Sequence, residues 1–235
     1  MPSRFALILL MLAPVASVAS AAPPIQPFEA EFTVYRNGSE VGFAHIRLSQ
    51  EGENAWHMHA TLNASAAAGL LQFSSVEDSR FHWHEGQPRS DRYHARRQQP
   101  LRTRERSMDF DWNAGRVVLT DHRGREETHD LREPAIDPQL SLLVAMLATA
   151  EGEEEFDYVM VNRGAPQVQK GRRNGSATVE TGLGAVECVE VERVRDHRRR
   201  ETRSCHARSL DWIPVRVVQE EDGELLEMRL KSLKR

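Results

Sequence analysis

The stretch Phe28-Glu29-Ala30-Glu31-Phe32-Thr33-Val34-Tyr35-Arg36-Asn37-Gly38-Ser39-Glu40-Val41-Gly42-Phe43 decides the fold class. Phe28, Ala30, Phe32 and Val34 alternate with Glu29, Glu31 and Thr33. That period of two puts one set on each face of a half-buried β-strand. Asn37-Gly38 tolerates positive φ at both positions, which marks a two-residue hairpin turn. Centring the hairpin there pairs Val34 with Val41 and Phe32 with Phe43, so apolar meets apolar. Beyond Phe43 the apolar parity moves to Ala44, Ile46 and Leu48, which predicts a bulge or strong bend at that point.

The same period continues along the chain, with turn signals about every 8–12 residues, as in an antiparallel β protein. Trp56, Met58, Ala60 and Leu62 share one face, with His57, His59 and Thr61 on the other. Phe81 and Trp83 alternate with His82 and His84. Further strands are predicted near 91–94, 102–112, 116–121, 156–161, 177–181, 185–195 and 200–207. A last hairpin turns at Asp222-Gly223 and pairs Val217 with Met228 and Val215 with Leu230. Residues 63–72 are Ala-rich and fit either a short helix or a strand edge. One segment, 137–150, breaks the pattern. Asp137 reads as an N-cap with Pro138 at the first helical position, and Gly152 ends the helix. Its apolar residues occupy every side, so it requires burial. The expected fold is all-β dominated: one strongly curved antiparallel sheet or half-barrel wrapping a single apolar helix at about 137–150.

Residues 1–21 read as a cleavable secretory signal peptide, leaving 22–235 as one β domain. Arg4 gives the charged start, Phe5 to Val18 the apolar run, and Ala19-Ser20-Ala21 the small-residue cleavage site. The expected location is periplasmic, with no transmembrane segment after cleavage. Removing Arg4 takes the formal charge of −4 only slightly lower, which argues against a nucleic-acid partner. Two cysteines, Cys188 and Cys205, are the whole complement. In an oxidising compartment such a pair reads as one disulfide. A hairpin turning at Asp196-His197 sets them directly opposite each other, within bonding range.

Chemistry-bearing motifs are sparse. No G-x-S-x-G, HExxH or glycine-rich phosphate loop occurs, so no catalytic residue and no cofactor is assigned. Asp109 and Asp111 share a strand face but flank a hairpin turn. His57, His59, His82 and His84 occupy polar strand faces. Pairing around Leu70-Leu71 would set His57 against His84 and His59 against His82, with Asp91 opposite His82. Exposed histidines on a solvated face are the simpler reading, and no metal is assigned. The basic run Arg193 to Arg203 is a candidate surface for anionic headgroups or an acidic partner.

Ordered fragments across the mature chain resemble the DUF3108 family of secreted bacterial proteins. They are Pro27-Phe28-Glu29-Ala30, Val41-Gly42, Tyr93 and Phe110-Asp111-Trp112. Then follow Asp137-Pro138-Gln139-Leu140-Ser141-Leu142, Gly182-Leu183-Gly184 and Ile213-Pro214-Val215-Arg216. Where the family carries an aromatic before the Ile-Pro-Val strand, this chain has Cys205-His206-Ala207, which marks the disulfide as a local variation. The resemblance implies a periplasmic protein with no established catalytic residues. The sheet-plus-helix reading is also similar in architecture to LolA/LolB-type carriers, in which an open half-barrel holds an acyl chain.

The expected function is a non-catalytic periplasmic binding or carrier protein for a hydrophobic or amphipathic envelope component. Trp56, Phe81 and Trp83 are the candidate ligand-lining residues. The alternative is a structural or adaptor protein that meets an envelope protein partner through Arg198 to Arg200 and its exposed strand edges. A metal-dependent hydrolase is the third reading.

Overall fold

A computed structural model describes residues 24–66, 71–131, 134–194 and 200–235. The expected leader at 1–21, and residues 195–199 of the basic run, lie outside the described residues. The chain runs through β1 (Phe28–Arg36), β2 (Ser39–Gln50), β3 (Trp56–Ala66), β4 (Leu71–His84) and β5 (Gln87–Gln99). It continues through β6 (Arg102–Asp111), β7 (Arg116–Thr120), β8 (Glu126–Asp130) and β9 (Ala135–Ile136). Helix α1 (Ser141–Glu151) follows, then β10 (Glu155–Met160), β11 (Gln167–Thr181) and β12 (Gly184–Val194). The last strands are β13 (Arg200–Ala207), β14 (Ile213–Glu221) and β15 (Glu224–Lys234).

The fifteen strands of the described residues join one sheet in the order β8-β7-β6-β5-β4-β3-β2-β1-β15-β14-β13-β12-β11-β10-β9. Pairing is antiparallel except for β9 on β10. The pairing of β1 with β15 brings the two ends of the chain together in mid-sheet. The sheet is a large, curved, open, barrel-like wall with α1 in its hollow.

The opening hairpin turns at Asn37 and Gly38, both at positive φ. Arg36 faces Ser39 and Tyr35 faces Glu40, as the turn dictates. The register then shifts, so that Val34 faces Gly42 and Phe32 faces Ala44. The bulge therefore sits at Val41, closer to the turn than expected. It sends Phe43 outward, 59% exposed, and keeps Ala44, Ile46 and Leu48 in the core. At the other hairpin Val217 faces Met228 as expected.

Helix α1 begins at Ser141, four residues after the expected start. Leu140 is its N-cap residue, without a side-chain cap. Asp137 instead caps the preceding turn, accepting the backbone N–H of Gln139 at 2.9 Å. Gly152 ends the helix in the left-handed conformation. Leu143, Met146 and Ala148 are buried, so the helix plugs one end of the hollow. There it meets Phe28, Leu48, Trp56, Phe81, Val215 and Leu230.

Strands β8 and β9 and the first half of β11 carry no clear alternation in sequence. Gln167 to Ser176 is polar and mostly exposed, so no buried face imposes a period. Gly171 has a steric role there: a Cβ would lie 2.1 Å from the Phe156 ring that covers it.

Candidate functional site: a trough in the hollow of the sheet

Because α1 fills only one end, the rest of the hollow is an open trough. Beside the helix is a hollow of about 240 Å³. Its walls include Ile46, Met58 and Ala60 from β2 and β3, Leu142 and Ala145 from α1, and Val217 and Met228 from β14 and β15. A second hollow of about 270 Å³ shares Ile46, Ala60, Thr202, Val217 and Met228 with the first. It shares Leu62, Phe73, Gln219 and Leu226 with a wider mouth of about 870 Å³. The three form one continuous path from the helix to the end of the sheet where the hairpins turn.

The trough is apolar along its floor and carries arginines from both arms of the sheet, with the carboxylates Glu77 and Glu192 also in its lining. Arg97 of β5 and Arg200 of β13 line the second hollow, and Arg193 of β12 lines the first. Arg97 donates to Glu77 at 3.3 Å. Arg193 donates to Gln169, and Arg200 donates to Gln219 at 2.5 Å. Burial pulls the Arg200 guanidinium below its ordinary range; Glu221 opposes this, while Arg97, Arg193 and Arg163 add to it. Glu77 also accepts the Tyr93 hydroxyl at 2.8 Å. Burial and the adjacent Glu77 push the Tyr93 phenol upward, so it stays a donor. Arg106 lies over the Tyr93 ring, 5.3 Å from its centroid, and extends the network to Asn162.

Trp56, Phe81 and Trp83 lie elsewhere. Trp56 and Phe81 are buried at the plugged end, and Trp83 packs edge-on to both at 6.0 and 5.3 Å. The apolar lining of the trough draws instead on small and aliphatic residues together with Phe73, Phe156 and Tyr158. Arg193 and Arg200 belong to the basic run that the sequence marks as a surface for anionic groups, whereas Arg97 is not singled out there. Arg97 carried a signal: it follows Tyr93 and Ala95 on the inward parity of β5, where a charge is out of place.

The other candidate groups separate. Asp109 accepts from Arg92 at 2.7 Å, while Asp111 caps the turn through the Ala114 N–H at 3.0 Å. They do not form an acid–base pair. The β3–β4 register sets His57 opposite Arg80 and His59 opposite Asp78, not opposite His84 and His82. His82 contacts Asp91 at 2.9 Å and accepts from Arg89 at 2.8 Å, although it faces Arg89 in the ladder. His57, His59 and Asp78 come together, with one donor atom from each inside 4.8 Å.

Cys188 and Cys205 are disulfide-bonded, with Cα atoms 5.4 Å apart. They are not directly opposed: Cys205 faces Glu190, two residues from the expected register. The diagonal approach still allows the bond.

The model of DUF3108, described as a protein of unknown function, matches residues 31–231. The chain belongs to the DUF3108 family. A crystal structure of a β-barrel-like protein of the domain of unknown function DUF1849, from Brucella abortus, is similar in fold. The two superpose with a TM-score of 0.60 at 9% identity, over 91% of this chain and 99% of the other. No curated protein sequence matches the chain. Among the described residues of this DUF3108 protein, no helix is long and apolar enough to cross a membrane.

Proposed function

We propose that this DUF3108 protein is a non-catalytic periplasmic binding or carrier protein for an amphipathic, anionic component of the cell envelope. The trough carries this reading: an apolar path, open at one end, with arginines on its wall. An acyl chain would lie along Ile46, Ala60, Val217 and Met228. A carboxylate or phosphate head would sit toward Arg97 and Arg200, whose guanidinium groups match such anions in planar, bidentate geometry. Ligand pockets of about 300–1,000 Å³ with a few convergent polar groups are the common form of such sites. The leader-like sequence at 1–21 and the disulfide support the reading of an oxidising, extracytoplasmic setting.

The test is binding of a fluorescent long-chain fatty acid to the mature protein, with native mass spectrometry of the protein as purified from the periplasm. Wild-type protein is expected to bind one fatty acid. Ala60→Trp fills the shared part of the trough and is expected to weaken binding about tenfold or more. Arg97→Gln with Arg200→Gln is expected to weaken the acid but not its methyl ester. A wild-type protein that is empty as purified and binds no fatty acid overturns the proposal. So does binding that none of these substitutions alters.

A further inference from the structure

The outer face of the sheet carries a second constellation, unrelated to the trough. On β3, His57 and His59 alternate with the inward Trp56 and Met58. On β4, Asp78 lies opposite His59. His57 Nε2 is 2.9 Å from Asp78 Oδ1, and His59 Nδ1 is 2.8 Å from the same oxygen. Two imidazoles thus converge on a single carboxylate oxygen. We propose that His57 Nε2, His59 Nδ1 and an Asp78 carboxylate oxygen bind a divalent transition ion of the zinc class.

The geometry needs little change. Zinc bonds to nitrogen and oxygen are about 2.0–2.2 Å, so ligand atoms on one ion stand roughly 3 Å apart. The two His–Asp separations are already close to that. Both ligand-bearing strands are held in a continuous ladder, so the side chains adjust without backbone movement. The side chains are partly exposed, at 20% for His57, 34% for His59 and 33% for Asp78. Remaining coordination positions therefore face solvent. Two imidazoles select a borderline ion over magnesium or calcium, which take oxygen ligands.

A surrounding shell supplies a partner for the nitrogen that would not bind the ion. His57 Nδ1 faces Glu51 Oε1 at 3.3 Å, and Arg80 stands 3.5 Å from the other Glu51 oxygen. Once an ion takes the place of the Nε2 contact with Asp78, Glu51 is the carboxylate beside the far nitrogen that accepts the remaining Nδ1 proton and orients the ring. The other histidine–carboxylate contacts among the described residues, His45 with Glu29, His82 with Asp91, His94 with Glu105 and His129 with Glu127, each offer only one imidazole.

The experiment is calorimetric titration of untagged mature protein with Zn²⁺, with Co²⁺ absorption as a geometric readout. One ion per chain is expected. His57→Ala, His59→Ala and Asp78→Asn should each weaken binding by about 10- to 100-fold, while His94→Ala leaves it unchanged. In wild-type protein, Zn²⁺ should also shield His57 and His59, but not His94, from diethyl pyrocarbonate. That measurement decides the matter even where a variant folds poorly. Absence of stoichiometric Zn²⁺ binding by the wild type overturns the site. Unchanged affinity in folded His59→Ala, or modification of His57 and His59 unaffected by Zn²⁺, overturns it equally.

Discussion

The Ser79 hydroxyl of β4 lies 2.8 Å from Oδ1 of Asp137, which precedes α1, and so ties the sheet to the plug of its hollow. Ser90 of β5 adds a 2.8 Å bond to Oδ2 and accepts the Asp137 N–H at 2.8 Å. Ser79 is also 2.7 Å from Gln139 Oε1, and a hydroxyl has one proton to give. A neutral Asp137 resolves that competition, since it can donate to Ser79 while Ser79 donates to Gln139. Burial pushes the carboxyl up to about 6, against the hydrogen bonds from Ser79, Ser90, Gln139 and Leu140.

Asp137→Ala would leave these buried donors without their acceptor and should destabilise the protein by on the order of 3–5 kcal/mol. Asp137→Asn keeps the shape and removes the titration. A carboxyl raised in the fold contributes stability that is complete below its ordinary value near 3.8 and is lost as pH rises through about 6. Relative to Asp137→Asn, wild-type protein should therefore gain stability from pH 7 to pH 4, by about 3 kcal/mol at most. Urea denaturation of both proteins at the two pH values checks the sign. An identical pH dependence in both would remove the argument.

The alternation at Phe28–Val34, the turn at Asn37-Gly38 and the all-round apolar helix made the fold class legible, because each is a local signal. Register was less legible. Alternation fixes which face a residue occupies, but sliding a strand by an even number of residues preserves every face. The β3–β4 pairing differs from the expected one by such a slide, so the inward residues stayed inward while the histidines changed partners. That slide put Asp78, absent from the sequence argument, between His57 and His59. The trough was not readable for a related reason. It depends on how far α1 reaches along a hollow closed by strands distant in sequence, and no local period encodes that.

His206 supplies the opposite pH dependence. Its ring is fully buried, donates from Nδ1 to the Trp212 carbonyl at 2.9 Å, and accepts the Ser204 hydroxyl at 2.7 Å. Those partners fix the neutral tautomer. Burial lowers the imidazole to about 4, with the Trp212 bond opposing. A histidine depressed in the fold contributes stability that is present above its ordinary value near 6.5 and is lost as pH falls through about 4. His206→Gln should therefore lose less stability than wild type over that window. It should be less stable at pH 7, because Asp211 and Trp212 both adopt positive φ in the turn that His206 holds. Denaturation midpoints at pH 7 and 4 test both statements.

The disulfide closes a loop between residues 17 apart, Cys188 and Cys205, and both are buried beside the plugged end. A cross-link of that span removes unfolded-chain entropy worth about 3 kcal/mol in the loop-closure model. Both cysteines also pack within the core that surrounds α1, so the double substitution Cys188→Ala and Cys205→Ala removes volume as well as the bond. Reduction alone separates the two effects, since it leaves the sulfur atoms in place. Wild-type protein in reductant should lose about 3 kcal/mol, and the double variant should lose more and be insensitive to reductant. The β12–β13 ladder runs through Glu190 opposite Cys205 and Val191 opposite Ser204, so reduced protein retains the strand pairing. Its far-ultraviolet circular dichroism at low denaturant should match the oxidised form. Equal stability with and without reductant would show that the ladder and the core hold this region without the bond.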